Sequence, residues 1–99
     1  MKTIRGITHI RLGLDGRVGV VRWQEVTGGR VPTGAARQAT LEEIVAHIEA
    51  GKTVEFWPRV GSGQRVSGGA VLVERDADGR AKLVEERQGG HRLIELPRF

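Results

Sequence analysis

One segment of this 99-residue chain, residues 41–50, has the hydrophobic periodicity of an amphipathic helix. Apolar side chains recur there at positions i, i+3, i+4 and i+7, which is the spacing of a buried helical stripe. Thr40 and Glu43 fit a capping box at the start of the helix, and Gly51 fits its end. The stripe consists of Leu41, Ile44, Val45 and Ile48. Because one short helix cannot enclose a core alone, the remaining chain must supply a sheet on which the helix packs.

The other segments alternate between apolar and polar residues over short stretches, which is the pattern of half-buried strands. The chain contains 15 glycines, and a turn pair such as Asp15-Gly16 favours a hairpin between two strands. We predict strands over residues 4–12, 17–26, 52–59, 70–75, 80–86 and 91–96. The order ββαβββ indicates an α+β fold, a single domain over residues 1–99 with a bent antiparallel sheet of five to six strands and one packed amphipathic helix.

Two glycine-rich segments, residues 28–40 and 60–69, lack hydrophobic periodicity, and we interpret both as connections between strands or helix. The first is too long for a hairpin loop, so we expect it to be mobile and to lie at the surface. It carries Arg30 and Arg37 without an acidic residue, just before the positive end of the helix dipole. This placement favours an electrostatic contact with nucleic acid or an acidic partner. Neither segment has the glycine spacing of a phosphate-binding enzyme loop.

The formal net charge is +4, and it is distributed unevenly. Residues 1–39 contain seven basic and two acidic residues, a net charge of +5, whereas residues 74–99 contain six of each. Arginine outnumbers lysine by 13 to 3, and its planar guanidinium suits bidentate contacts with phosphates and carboxylates. Such a basic region attracts nucleic acid or an acidic protein surface. An arginine-rich composition can also reflect a GC-rich genome without any role in binding.

The sequence offers no recognisable set of catalytic residues. The absence of cysteine excludes disulfides, thiolate zinc sites and cysteine nucleophiles, and it is compatible with a reducing cytoplasm. The three histidines lie on different predicted elements without metal-ligand spacing. Ser62 and Ser67 lack the G-x-S-x-G context of a nucleophile. We therefore predict a protein that is not an enzyme, with no cofactor and no metal. No run approaches the ~20 apolar residues of a membrane helix, so we expect a cytoplasmic location and no membrane contact.

Basic and aromatic side chains interleave on two predicted strands. On the first strand three basic residues share a face, and on the third strand Trp57 and Arg59 lie opposite the core residues Val54 and Phe56. Arginines interleaved with an exposed aromatic are typical of sheets that bind single-stranded nucleic acid. The candidate binding residues are Arg5, His9, Arg11, Arg30, Arg37, Trp57, Arg59 and Arg65.

A second interpretation of the same residues stays open. Trp57 can cover the edge of the sheet, and the arginines can pair with Glu55 and other nearby acids. These residues then have a structural role only. The alternative function is a protein–protein interaction module, or a small inhibitor or accessory subunit of a nucleic-acid-processing partner. The salt dependence of binding distinguishes this function from nucleic-acid binding, since contacts with phosphates weaken steeply as salt rises. Trp23 shares a face with Val21, so we expect its side chain to lie in the core whichever interpretation is correct.

Three segments together resemble a bacterial family known as domain of unknown function 3892. They are residues 7–12 (ITHIRL), 41–51 (LEEIVAHIEAG) and 93–99 (LIELPRF), which occur in the same order over nearly the whole chain. The family tends to carry tryptophan in the helix where His47 stands here, and Asp-Asn where His91-Arg92 stand. The resemblance implies a small cytoplasmic module, and the family has no established activity to carry over.

Overall fold

Among the described residues, strands lie before and after one α-helix. The computed structural model describes residues 3–27, 32–59, 61, 63–86 and 91–99. Their elements, in chain order, are β1 (Thr3–Leu12), β2 (Val18–Thr27), β3 (Thr33–Thr40), α1 (Leu41–Glu49), β4 (Val54–Phe56), β5 (Val71–Arg75), β6 (Ala81–Glu85) and a 3-10 turn (Leu93–Glu95). The fold class is therefore α+β, as predicted.

Four of the strands form one mixed sheet in the order β3-β2-β1-β4. β1, β2 and β3 pair in antiparallel fashion, whereas β4 lies parallel to β1. α1 carries the chain from β3 at one edge to β4 at the other, and a crossover of this kind is what parallel pairing requires. β5 and β6 form a separate antiparallel pair. The predicted single antiparallel sheet is thus only partly correct, because the strands divide between two sheets and β4 is parallel.

Residues 33–40, which the sequence predicts to be part of a mobile connection, form the edge strand β3. β2 is ten residues long, so its free edge can hold β3 through pairs such as Val21 with Ala39. The Ala39 side chain is buried in the core. The prediction of a mobile loop is therefore wrong for this stretch, since one buried alanine gives almost no periodic signal. Residues 28–31, including Arg30, lie outside the described residues.

The last described segment is a 3-10 turn followed by extended chain, where the sequence predicts a strand over residues 91–96. Leu93 and Leu96 are both buried, and their i, i+3 spacing places them on one side of a 3-10 turn. The Ile10 amide donates to the Pro97 carbonyl at 2.9 Å, so residues 97–99 lie along β1. The predicted strand is wrong because the two buried leucines have the i, i+3 spacing of a 3-10 turn and not the alternation of a strand.

α1 packs on one face of the four-stranded sheet and also contacts β5 and β6. The predicted capping box is confirmed: the Glu43 amide donates to Thr40 Oγ1, and the Thr40 amide donates to the Glu43 carboxylate, each at 3.2 Å. The predicted stripe is also confirmed, with Ile44 and Val45 buried and the other two residues partly buried against the core. The buried core residues are Ile7, Ile10, Val18, Val21, Trp23, Ala39, Ile44, Val45, Val54, Phe56, Val71, Leu83, Leu93 and Leu96.

A β-bulge at Thr8 decides which side chains of β1 face the helix. The register passes from the Ile7–Trp23 pair to the His9–Arg22 pair, so Thr8 is an extra residue without a partner on β2. A strict alternation would place residues 7 and 9 on the same face, but the extra residue separates them. We call the face that packs on α1, with Ile7, the helix face, and the opposite one, with His9, the outer face.

Candidate functional site

The outer face gathers five basic residues from three parts of the chain. β1 contributes two, β2 contributes one, and the segment that follows β4 contributes two. They are His9, Arg11, Arg22, Arg59 and Arg65, which we call the basic face. His9 is the register partner of Arg22, and Arg59 pairs with Arg65 through an isolated bridge. Burial, and then the charges of Arg65, Arg22 and Arg59, lower the pKa of His9 below its ordinary value.

None of the four arginines of the basic face forms an ion pair within the described residues. All 12 Asp and Glu residues of the chain belong to that described part, so no other carboxylate side chain remains to neutralise them. Among the described residues of the four strands, Glu55 is the only acid on the outer face, and its carboxylate accepts a hydrogen bond from the Ser67 hydroxyl at 3.4 Å. The basic face therefore carries uncompensated positive charge, which attracts anions.

The Phe99 ring orients two guanidinium groups of the basic face. The guanidinium carbons of Arg11 and Arg22 each lie 4.5 Å from the ring centroid, which is within cation–π distance. Arg11 Nε also donates to the backbone oxygen of Phe99 at 3.0 Å. The Phe99 amide donates to the Ile10 carbonyl at 3.3 Å, which positions the ring beside β1. Because both guanidiniums are already positioned, a ligand loses less conformational entropy in binding them.

The bulge residue Thr8 positions the imidazole of His9. Thr8 Oγ1 lies 2.9 Å from His9 Nδ1 and donates a hydrogen bond to the Arg22 carbonyl at 3.3 Å. Thr8 is the only buried polar residue among those that the structure describes, with 1% of its surface exposed. The imidazole is thus fixed through Nδ1, and its Nε2 makes no hydrogen bond with any described residue.

Trp57 does not present a stacking surface, contrary to the sequence prediction. It lies on the outer face, opposite Phe56, but only 5% of it is exposed. Gly6 makes the burial possible, since a Cβ there would lie 2.9 Å from Trp57 Cδ1 and 2.6 Å from Val26 Cγ2. The Trp57 carbonyl accepts a hydrogen bond from Arg65 Nη1 at 3.1 Å. Trp57 therefore supports the basic face from below and cannot stack on a base.

Two further candidate residues lie on the helix face. The guanidinium carbons of Arg5 and Arg37 lie 4.3 Å and 5.8 Å from the centroid of the Trp23 ring. The prediction that Arg5 shares a face with His9 is wrong, because the bulge at Thr8 shifts the alternation by one residue. The structure thus brings together four of the predicted residues and separates these two from them. The predicted Arg30 contact lies outside the described residues.

Two residues of the site, Arg22 and Phe99, were not predicted from the sequence. Arg22 alternates with the buried residues Val21 and Trp23 on β2, and this pattern alone indicates a side chain on the face opposite the core. Phe99 gives no comparable signal, because its place depends on backbone pairing with Ile10 at the far end of the chain.

A second arginine-rich region is a groove of about 740 Å³ between the β1–β2 turn, α1 and the β5–β6 hairpin. Each of its three arginines has a carboxylate partner from a different element, and we call this region the ion-paired groove. The pairs are Arg17–Asp76 at 2.9 Å, Arg80–Asp15 at 2.7 Å and Arg75–Glu49 at 3.0 Å. A hydrogen bond from the Arg17 side chain lowers the pKa of Asp76, and one from the Arg17 amide lowers the pKa of Asp15. These cations are already neutralised, so the groove lacks the anion-attracting character of the basic face.

Comparisons with family models, with curated proteins and with solved structures found no match to this chain. The resemblance to domain of unknown function 3892 therefore stays a prediction. Over the described ranges, no helix is long and apolar enough to cross a membrane. The same residues contain no group of three His, Asp or Glu side chains that could hold a metal ion.

Proposed function

We propose that this protein binds single-stranded nucleic acid through the basic face and performs no chemical reaction on it. The observation that carries this proposal is the set of four arginines on one sheet face, each without an ion-pair partner although every Asp and Glu is described. Arginine is the residue best suited to phosphate, because its planar fork of donors matches two phosphate oxygens at once. A row of such groups on a strand surface suits a chain of phosphates.

Single strands are favoured over duplexes by the position of the helix. Proteins that read duplex DNA commonly insert a helix or a β-ribbon into the major groove. Here α1 packs on the helix face, away from the basic face, and its first turn carries Glu42 and Glu43. A negative first turn repels phosphates, so α1 is a poor recognition helix. The outer face of the sheet, by contrast, offers guanidinium planes beside the Phe99 ring, on which unpaired bases can stack.

The experiment is a fluorescence anisotropy titration of a labelled single strand of about 12 nucleotides. This length lies within the range of site sizes of small domains that bind single strands on a sheet. Four phosphate contacts at about 0.7 each give a salt slope near −2.8, so affinity falls about 50-fold between about 50 and 200 mM salt. The double variant Arg22→Gln/Arg59→Gln should halve that slope and weaken binding roughly 50-fold at about 50 mM salt. Arg59 is exposed and neither side chain donates a hydrogen bond within the described residues, so the fold should persist.

The matched control is Arg75→Gln/Arg80→Gln, which removes the same two charges from the ion-paired groove. We expect it to bind like the parent. Equal losses in both double variants would mean that only net charge matters, and no binding by the parent would refute the proposal. A duplex of the same sequence should bind more weakly. If a polyglutamate of equal charge binds as tightly as the oligonucleotide, an acidic protein partner is the better assignment.

A further inference from the structure

The hydrogen bonds of Thr8 determine where neutral His9 carries its proton. A hydroxyl has one hydrogen to donate, and Thr8 donates it to the Arg22 carbonyl at 3.3 Å. We assign the hydroxyl hydrogen to this carbonyl, so that Thr8 Oγ1 accepts a hydrogen bond from His9 Nδ1, 2.9 Å away. Nδ1 of the neutral ring consequently holds the hydrogen, and Nε2 is left with a bare lone pair.

A bare Nε2 cannot bind a phosphate oxygen, because both atoms are hydrogen-bond acceptors. Protonation at Nε2 converts that nitrogen into a charged donor and the imidazole into a fifth cation of the basic face. Neutral His9 therefore contributes neither a positive charge nor a hydrogen-bond donor at Nε2 to the basic face, whereas imidazolium contributes both.

The charges around His9 oppose its protonation while no anion is bound. Arg22 faces it from β2, Arg59 and Arg65 face it from the segment after β4, and Arg11 lies on its own strand. Among the described residues of the four-stranded sheet, the one acid on this face is Glu55, and its carboxylate accepts a hydrogen bond from the Ser67 hydroxyl. Burial together with these cations lowers the pKa of His9. A bound phosphate neutralises the same arginines and accepts from Nε2, and both effects favour imidazolium.

We propose that His9 is a proton-coupled anion ligand, which takes a proton from solvent at Nε2 when phosphates of a single-stranded nucleic acid occupy the basic face. This inference rests on the proposed function for the identity of the anion. Since the bound state holds more protons than the free state, affinity rises as pH falls. The effect is confined to the range between the bound and free pKa of the imidazole.

The first test uses inorganic tripolyphosphate as the probe and follows the histidine ring resonances by NMR across pH. Saturating tripolyphosphate should raise the pKa of His9 by about 1 or more, as an opposite charge at contact does. His47 is the internal control, because burial and the charges of Arg5 and Lys52 lower its pKa on the other side of the sheet. An unchanged His9, or equal shifts of both rings, would overturn the inference without reference to nucleic acid.

The second test measures oligonucleotide affinity near pH 5.5 and near pH 8 at fixed salt, since imidazole titrates between them. The parent should bind more tightly at the lower pH, by up to about tenfold for a pKa change of about 1. His9→Gln should show almost no pH dependence. Binding without pH dependence in the parent would overturn the role of His9 while the proposed function stands. No oligonucleotide binding, with a raised pKa of His9 in tripolyphosphate, would overturn the nucleic-acid assignment instead.

The substitution Thr8→Val tests whether the hydrogen bond between Thr8 and His9 Nδ1, and not only the surrounding charge, causes the pH dependence of binding. Valine keeps the shape of threonine but cannot accept from Nδ1, so the neutral ring is free to carry its hydrogen on Nε2. His9 can then donate to phosphate without taking up a proton. We expect the difference in affinity between the two pH values to shrink to a few-fold while the ring remains. A pH dependence equal to that of the parent would mean that the Thr8 hydrogen bond does not set the protonation state.

Discussion

The ion-paired groove and the basic face both concentrate arginine, but they treat its charge in opposite ways. In the groove, three arginines have carboxylate partners at 2.7 to 3.0 Å. On the basic face, four arginines have no carboxylate partner within the described residues. The groove pairs join the β1–β2 turn, α1 and the β5–β6 hairpin, so charge there connects elements. On the basic face no guanidinium joins two elements through a carboxylate side chain; Arg11 and Arg65 donate only to backbone oxygens, those of Phe99 and Trp57.

This difference bears on whether the arginine content is only compositional. Acids are not scarce in this chain, which has 12 of them against 16 Lys and Arg. Several, such as Glu42, Glu86 and Glu95, are exposed and form no ion pair in the described part of the chain. Among the described residues of the four strands, Glu55 is the only acid on the outer face. A purely compositional surplus of arginine has no reason to leave one face with a single acid, so the comparison favours a role for that face in binding.

The largest expected effect comes from truncating a core side chain on β4, the strand that precedes Arg59 and Arg65 of the basic face. Phe56 is fully buried, and its backbone exchanges hydrogen bonds with Gly68 and Gly69, which anchors the segment that follows Arg65. Phe56→Ala should lower the free energy of unfolding by about 3–5 kcal/mol, as truncation of a buried aromatic does. Urea denaturation measures this change. The control is Leu72→Ala at a 42% exposed position, which should cost far less. Similar losses in the two variants would place Phe56 outside the core.

A smaller expected effect is on folding stability, which the basic face and the ion-paired groove should lose in different pH ranges. The fold lowers the pKa of His9 below 6.5, so its stabilising contribution is complete above pH 6.5 and is lost as pH falls through the lowered pKa. The fold lowers the pKa of Asp15 and Asp76 below 3.8, so their contribution is complete above pH 3.8 and is lost below it. Acid should therefore weaken the basic face first and the groove second, with His47 adding to the first step.

Thermal unfolding at low salt from about pH 8 to about pH 3 measures both steps, because it spans both ordinary pKa values. His9→Gln should reduce the first step and leave the second. Asp76→Asn should reduce the second and leave the first. If His9→Gln leaves the decline between pH 6.5 and 3.8 unchanged, the environment assigned to His9 is incorrect.

The elements that the sequence predicts correctly depend on interactions between residues close together in the chain. The elements that it misses depend on interactions between distant residues. The helix depends on Thr40, Glu43 and an apolar stripe within one short segment, and its bounds were predicted closely. The hairpin of β1 and β2 depends on alternation and one turn. β3, in contrast, depends on pairing with β2, and its own residues show little periodicity. Such pairing is invisible in a local window of sequence.

The candidate site shows the same division. His9, Arg11 and Arg59 were identified because charged residues alternate with apolar ones on predicted strands, whereas Arg65 was a candidate within a predicted connection. The bulge at Thr8 could not be predicted, and it moves Arg5 to the other face. The burial of Trp57 depends on the missing side chain of Gly6, on a strand far away in sequence. The aromatic group beside the arginines is consequently Phe99 and not Trp57.

The smallest expected effect is a difference in sign between two single arginine substitutions. Arg75 donates to both carboxylate oxygens of Glu49, at 3.0 and 3.1 Å, and both side chains are about half exposed. Arg75→Gln should lower the free energy of unfolding by about 0.2–1 kcal/mol, the usual range for an exposed pair. Arg59→Gln removes a cation that faces other cations, so it should leave stability unchanged or raise it by about 0.2–0.5 kcal/mol. Urea denaturation at about 10 mM salt resolves the two, and at about 1 M salt screening should bring both values toward zero. A loss of stability in Arg59→Gln that persists at high salt would show that this arginine packs or pairs within the fold, and the contrast between the two regions would then fail.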